Sequence, residues 1–407
     1  MTATPWPDRG TRRVDAVVVG GGPAGATAAH TLATAGVSTM LLDKAGRIKP
    51  CGGAIPPRLI DDFAIPDHLL VAKVATARMV SPGRQRVDIP VGRDFVGMVD
   101  RGVFDEWLRV RATEAGAERV TGMFERFERR RDGGVDVTYR AGGSRQGESV
   151  TVTARYLIGA DGALSAVARQ AIPVAYRGTP RVTAYHEVIR SPAGDSEGYQ
   201  ARRADVYYDG RLSPDFYAWI FPHGPEASVG TGSLRAGFDV RAAVAALRRE
   251  AGLENCETIR REGAPIPLRP LDWWDDARNV VVAGDAAGVV APASGEGIFY
   301  AMTSGRCAAE AVQQALRTGK ASKLAWARRR FMLAHGLVFG VLGVMQDTWY
   351  GNDDRRERFV TLCRDTDIQR LAFDGYTRKR LVFAKPLAHA RIFLKNLGHL
   401  SGVLAPT

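Results

Sequence analysis

Residues 15–43 read DAVVVGGGPAGATAAHTLATAGVSTMLLD. An apolar run without charges ends in glycines, an alanine-rich stretch follows, and a second apolar run closes on Asp43. The pattern predicts a buried parallel strand, a tight turn, a helix and a second parallel strand, the opening of a βαβ unit. Gly20, Gly22 and Gly25 stand in GxGxxG spacing at the turn, with Pro23 and Ala24 between them. Glycines there permit the sharp turn and let the backbone at a helix N-terminus approach a pyrophosphate. Asp43 ends the second strand 18 residues after Gly25, where a carboxylate accepts hydrogen bonds from an adenosine ribose. A dinucleotide site is the expectation.

Around this opening the chain has 407 residues, 45% hydrophobic and 25% charged, which is enough for two or three domains with a large core. The formal net charge of +12 would suit an anionic substrate, an anionic membrane surface or nucleic acid. No nucleic-acid module accompanies it. Cys51, Cys256, Cys307 and Cys363 are too far apart for a CxxC metal site and form no disulfide-dense pattern, so no metal is expected and a reducing cytoplasm fits. The N-terminal Arg12-Arg13 pair precedes no cleavable apolar segment. The most apolar stretch, LAHGLVFGVLGVM at 333–345, is shorter than the ~20 residues needed to span a bilayer, so the expectation is a soluble or peripheral protein.

Further along, 104–115 has helical periodicity and 119–157 alternates as hairpin strands. Between about 171 and 274 strand-like segments dominate, and from 321 onward the chain reads as mostly helical. YLIGADGALSAVAR at 156–169 is by itself a strand-to-helix turn, with Asp161 and Gly162 at the bend and Asp161 able to cap the helix. NVVVAGDAAGVVAPASGEGIFYAMTSG at 279–305 delivers Gly284 and Asp285 at a strand end, where a carboxylate can bind a polyol. Gly295, Gly297 and Ile298 then lead into a helix whose N-terminus can stabilise negative charge. YAWIFPHGPEASVGTG at 217–232 places Tyr217, Trp219 and Phe221 on one face of a strand. Alternation alone reads as sheet core.

In this order and spacing, the three glycine-rich motifs resemble the FAD-binding signatures of the flavoprotein group that includes para-hydroxybenzoate hydroxylase. Within that group, KPCGGAIPPRL at 49–59, YAWIFP followed after seven residues by GTG, REGAPIPLRPL and MQDTWYGNDDRRERFVTLCRD resemble the geranylgeranyl reductases of bacteriochlorophyll and chlorophyll synthesis, and the similarity runs to the C-terminus. Asp43 stands where many members of the wider group carry Glu.

The resemblance implies an α/β fold: a Rossmann-like FAD-binding domain (1–78, 97–170 and 275–320), an inserted antiparallel substrate sheet (79–96 and 171–274) and a helical C-terminal region (321–407). It implies FAD contacts from Gly20, Gly22, Pro23, Ala24, Gly25, Asp43, Lys44, Gly52, Gly53, Arg101, Asp161, Gly162, Gly284, Asp285, Gly295, Gly297 and Ile298. It places Cys51 beside the reaction and Tyr217, Trp219 and Phe221 against a prenyl tail. The implied activity is stepwise saturation of three double bonds of a geranylgeranyl group, on bacteriochlorophyll or on the free diphosphate, with NADPH as electron source and reduced ferredoxin as the alternative, since the one N-terminal fingerprint is taken by FAD. Residues 376–407 carry six basic and no acidic residues among apolar ones, which suits an anionic membrane surface. Two other functions stay open from sequence: an FAD-dependent monooxygenase and a prenyl-lipid carrier on the same scaffold.

Overall fold

The computed structural model describes residues 12–44, 49–91 and 95–370, together with Gly375 and Lys379. The opening stretch forms strand Arg13–Val19, helix Pro23–Thr34 and strand Thr39–Asp43. The two strands are parallel, with Ala16 opposite Thr39 and Val19 opposite Leu42. Ala16, Val17 and Val18 are fully buried, as a parallel strand covered on both faces requires. Strand Glu118–Arg129 joins the far side of Thr39–Asp43, while Ser149–Gly159 and then Val280–Val282 join the other edge, giving five parallel strands. Glu118–Arg129 serves two pairings and Ser149–Gly159 three, because their other portions clasp Val135–Ala141 in an antiparallel meander. The fold class is therefore mixed α/β, with the Rossmann-like unit at its centre.

Helix Pro23–Thr34 is sandwiched against helix Ile298–Thr318. Gly305 makes that approach possible: a Cβ there would lie 2.1 Å from the Ala24 carbonyl oxygen. Helix Arg101–Glu114 begins at Asp100, whose carboxylate accepts the Val103 amide at 3.0 Å, satisfying one of the free N–H groups of a helix start.

A second, seven-stranded sheet runs in the order Thr258–Pro267, Arg181–Arg190, Glu226–Ser233, Ala218–His223, Arg203–Tyr207, Thr76–Val80 and Arg86–Pro90. All of its pairings are antiparallel except Arg203–Tyr207 with Thr76–Val80. Strand Thr76–Val80 thus lies wholly in this sheet, so the sheet begins two residues before the boundary at 78 drawn from sequence. Its pairing with Arg203–Tyr207 on one side and Arg86–Pro90 on the other, not a composition change, decides the point. A three-stranded sheet (Ala54–Ile55, Val96–Val99, Leu70–Val74) packs against strand Ala218–His223 of the seven-stranded sheet.

The apolar stretch at 333–345 proved part of a longer element. Helix Trp326–Trp349 has 24 residues, and its most apolar window has a mean hydropathy of 1.3 with only 17% buried. By length and composition it is the one helix among the described residues able to cross a bilayer, and it is longer than the apolar run at 333–345 counted from sequence. The expectation counted an apolar run, whereas the helix continues past both of its ends and through Gly336, Gly340 and Gly343. One face is docked on the body of the protein: Phe331 and Phe339 pack on Tyr300 with ring centroids 6.0 and 4.9 Å away. The opposite face exposes Trp326, Leu333, Leu337, Val341 and Val344. Of the basic C-terminal segment read from sequence, all but Lys379 lies outside the described residues; the Lys379 ammonium is buried on the Glu296 carboxylate.

Candidate functional site

Two clefts meet at the C-terminal ends of the parallel strands, where open α/β sheets bind ligands. The first, of ≈ 1190 Å³, is floored by Gly20, Gly21 and Gly22 and walled by Asp43, Lys44, Arg109, Asp161 and Gly162. Gly20 adopts φ +104°, and a Cβ on it would lie 2.3 Å from the Ala160 carbonyl oxygen. Gly22 is the N-cap of helix Pro23–Thr34 and makes no side-chain cap; a Cβ on it would meet only open space. The free amides of that helix therefore face the cleft, a cradle for phosphate oxygens. The Asp43 carboxylate accepts the Gly21 amide at 3.2 Å and keeps its second oxygen 3.8 Å from Arg109.

The second cleft, of ≈ 940 Å³, shares Lys49, Ala264, Pro265 and Asp285 with the first. It is lined by Cys51, Gly52, Gly53, Gly295, Gly297 and Ile298 together with Tyr217, Trp219 and Phe221. Each ring seats on a glycine. Trp219 is the cross-strand partner of Gly230, where a Cβ would come within 2.2 Å of the indole. A Cβ on Gly295 would touch the Tyr217 hydroxyl at 2.6 Å, and one on Gly52 the Phe221 ring at 3.0 Å. The next residue in the alternation, His223, has its Nε2 2.5 Å from where a Gly53 Cβ would be. Of the following Gly-Thr-Gly, Gly230 leaves room for the Trp219 indole, while Tyr217 and Phe221 rest on Gly295 and Gly52, far from them in sequence. Tyr217 donates to the Ser294 carbonyl at 2.6 Å, and burial pushes its phenol far above the usual range.

The structure brings most of the sequence-assigned residues to these clefts, with corrections. Ala24, Gly25 and Gly284 line neither. They are packing positions: a Cβ on Gly25 would fall 1.8 Å from the Gly20 oxygen, and one on Gly284 2.7 Å from the Ala24 Cβ. The Asp161 carboxylate is spent on the following helix, accepting the Ser165 hydroxyl, the Ala166 amide at 2.7 Å and the Val167 amide at 3.1 Å. Its capping role, the simpler sequence reading, is what the side chain does; backbone and Gly162 are what it offers the cleft. Asp285 pairs with Lys49, at the junction of both clefts. Arg101 is buried and bidentate to Asp105 at 2.8 and 2.7 Å. Burial opposes its charge, but Asp105 and Cys51 hold its pKa above the usual value. Burial lowers His223 to about 4, so that imidazole is neutral near pH 7.

Several lining residues were not singled out from sequence. Arg109 donates to the Gly21 carbonyl at 3.1 Å, reaching the glycine turn from a helix 88 positions away. Lys49, Phe216, Ser294 and the Ala264-Pro265-Ile266 strand also line the space. The signal for Arg109 was its helical spacing from Arg101, two turns further on, which puts both on the side facing the cleft.

A family model for an FAD binding domain matches residues 13–54 and 72–208. The geranylgeranyl diphosphate reductase of Rhodobacter capsulatus is 55% identical over 394 residues, covering 97% of this chain and 99% of that protein. The chloroplastic geranylgeranyl diphosphate reductase of Oryza sativa is 38% identical, covering 96% and 86%. Among solved structures, a geranylgeranyl bacteriochlorophyll reductase-like protein from Thermoplasma acidophilum superposes with a TM-score of 0.79 at 21% identity, covering 93% of this chain and all of that one, a likeness of fold.

Proposed function

The chain belongs to the geranylgeranyl reductase family of FAD-binding flavoproteins, and from that premise we propose that it saturates the three reducible double bonds of a geranylgeranyl tail, carried on bacteriochlorophyll or as the diphosphate. The observation carrying this reading is the aromatic wall of Tyr217, Trp219 and Phe221 facing Cys51-Gly52-Gly53 in an apolar cleft continuous with the glycine-turn cleft.

The residues fit FAD. The uncapped helix start at Gly22 would take the pyrophosphate, Asp43 and Arg109 the adenosine side, and Asp285 with Lys49 the ribityl chain. Gly52, Gly53, Gly295 and Gly297 leave backbone close to the ring position, beside Arg101. Bound and reduced, FAD supplies hydride; NADPH is the proposed reductant, with reduced ferredoxin the other candidate. The protein's part is to align an unreactive alkene and exclude water, worth many orders of magnitude in rate. Three apolar rings suit a flexible prenyl chain. In this reading 1–78, 97–170 and 275–320 form the FAD-binding unit, 79–96 and 171–274 the substrate sheet, with Thr76–Val80 transferred to the latter, and 321–407 the C-terminal region.

We place the enzyme on the cytoplasmic side, held peripherally at a membrane by the exposed face of helix Trp326–Trp349. The helix runs from a basic end, with Arg328, Arg329 and Arg330, into sixteen uncharged residues. Anionic vesicles should therefore sediment the protein. Changing both Leu333 and Leu337 to Glu should weaken binding more than tenfold, since each buried leucine contributes ~2 kcal/mol. Equal sedimentation of both proteins would overturn this surface.

The function itself is tested by anaerobic turnover of geranylgeranyl-bacteriochlorophyll against geranylgeranyl diphosphate, with NADPH or reduced ferredoxin and mass detection. Each step is expected to add two hydrogens to the tail. Tails that gain none refute the reading; oxygen uptake with a hydroxylated product would make the protein a monooxygenase.

A further inference from the structure

Saturating an alkene needs a proton as well as a hydride, and acidic groups of the aromatic cleft are already engaged: Asp285 pairs with Lys49, Glu296 with Lys379, and the Tyr217 hydroxyl donates to the Ser294 carbonyl. Behind Cys51 lies a third cavity, whose walls include Lys49, Cys51, Arg101, His186, Ser228 and Glu262. Lys49, Cys51 and Arg101 stand on both this cavity and the aromatic cleft, so Cys51 marks the passage between them.

Three of its residues form a continuous hydrogen-bonded chain. His186 Nε2 is 3.0 Å from Glu262 Oε2, and His186 Nδ1 is 2.8 Å from Ser228 Oγ. Trp219 Nε1 is 3.0 Å from the same Ser228 oxygen. An indole nitrogen only donates, so the Trp219 N–H occupies a Ser228 lone pair and the serine proton is directed to His186 or the cavity. Glu262 lies below the ordinary carboxylate range, chiefly through its hydrogen bond with His186, with Arg260 also contributing. It is a fixed anion beside the ring.

The arrangement is set by register. His186 lies opposite Glu262 on one neighbouring strand and opposite Gly230 on the other. Gly230 is the glycine that admits the Trp219 indole, and a Cβ on it would also lie 2.6 Å from His186 Cβ. The same substitution-intolerant spot therefore seats the wall ring and brings it to the buried histidine. His223 is the competing imidazole, but burial keeps it neutral and its Nδ1 is turned to the Phe221 carbonyl at 3.1 Å.

We propose that His186, held between Ser228 and Glu262 in the polar cavity behind Cys51, relays the proton that completes saturation of each double bond; this rests on the reductase reading above. In each step the alkene π bond breaks and two C–H bonds form. FAD, once bound and reduced, would supply the hydride and both electrons for one carbon, its own oxidation balancing the step. The proton for the other carbon leaves Nδ1 of doubly protonated His186 and passes through the Ser228 hydroxyl and water entering the cavity at Cys51. His186 is left neutral with its Nε2–H on Glu262. Nδ1 regains its proton by the reverse path, from solvent water entering the cavity and through the Ser228 hydroxyl, while Glu262, itself paired with Arg260 at 3.4 Å, holds the Nε2–H in place. His186 is a positioning residue for the proton, not a group touching substrate.

The test follows reoxidation of chemically reduced, FAD-loaded enzyme by geranylgeranyl diphosphate in single turnovers, under anaerobic conditions, in H₂O and D₂O. His186→Gln and Glu262→Gln should bind FAD with the wild-type visible spectrum. They should reoxidise about 10²-fold more slowly, the usual contribution of a positioned proton donor, with an enlarged solvent isotope effect. Glu262→Gln, at a partly exposed position, keeps the test decisive if His186→Gln does not fold. A purely structural role would instead weaken substrate binding and leave the isotope effect unchanged, which overturns the relay. Variants that reoxidise at the wild-type rate also overturn it. A wild-type enzyme whose flavin the diphosphate cannot reoxidise overturns both the relay and the substrate reading beneath it; a working wild type beside unimpaired variants overturns the relay alone.

Discussion

Gly25→Ala is expected to yield a chain that neither holds FAD nor folds stably. The added methyl would sit 1.8 Å from the Gly20 carbonyl oxygen and 3.2 Å from the Ala160 Cβ. Neither neighbour can retreat. The Gly20 amide donates to Leu42 at 2.8 Å and the Ala160 amide to Val19 at 2.8 Å, so both belong to the parallel ladder. Gly20 is itself at φ +104°, close against Ala160, which leaves the turn no second route. Relief requires the helix to lift off the strands, at ~3 kcal/mol or more by the measure of overpacked cores. That is a large part of a domain's net stability. Thermal unfolding of the apoprotein and flavin content after purification measure it. The control is Gly22→Ala, whose methyl meets nothing within 4 Å and points into the cleft. It should fold normally and lose cofactor affinity only. A Gly25→Ala protein with wild-type melting temperature and full flavin would contradict the packing role.

The contrast between these two glycines marks where sequence stops being informative. GxGxxG spacing in a βαβ context identifies the turn, but it does not separate a glycine that admits a ligand from one that admits a helix. Gly22 faces the cleft; Gly25 faces Gly20. The same holds for Asp161, whose position in the motif is legible while the direction of its carboxylate, into the helix start, depends on Ser165 and two amides. The strands, the meander at 118–159 and the inserted sheet were legible because period-two and apolar patterns are local. Residues joined across the fold were not. Lys49 and Asp285 meet over 236 positions, and Arg109 reaches Gly21 over 88. His186 and Glu262 had no local signal either. Their pairing exists only because three strands fall into one register, a property of the sheet rather than of any segment. The exposed helix was under-read for another reason: glycine lowers helix propensity by ~1 kcal/mol each, yet 24 residues anchored by aromatic packing absorb three of them.

Trp219→Ala is expected to leave a folded, FAD-loaded protein that reduces prenyl substrate about 10²-fold more slowly, the penalty for a reacting bond displaced by an ångström or so. The indole is only 6% exposed and packs between Tyr217 and Phe221, with centroids 5.9 and 6.1 Å away. Burial of that degree would ordinarily mean core, and Trp→Ala in a sealed core costs ~3–5 kcal/mol. Here the face left bare opens on a cleft of ≈ 940 Å³, so the void joins existing space that a prenyl chain or water can fill. The backbone beneath stays pinned by its pairing with Gly230. Trp219 does not line the glycine-turn cleft that would hold the pyrophosphate and adenosine, so flavin content should hold even though the ring position lies in the cleft that Trp219 walls. Loss of flavin or of the folded state would make the ring core after all. Trp219→Phe then separates its two connections: it keeps an apolar ring over Gly230 but removes the N–H that Ser228 accepts at 3.0 Å. If the wall is the larger contribution, Phe restores most of the turnover that Ala loses. If fixing Ser228 for the proton relay matters more, Phe turns over as slowly as Ala while binding substrate as the wild type does.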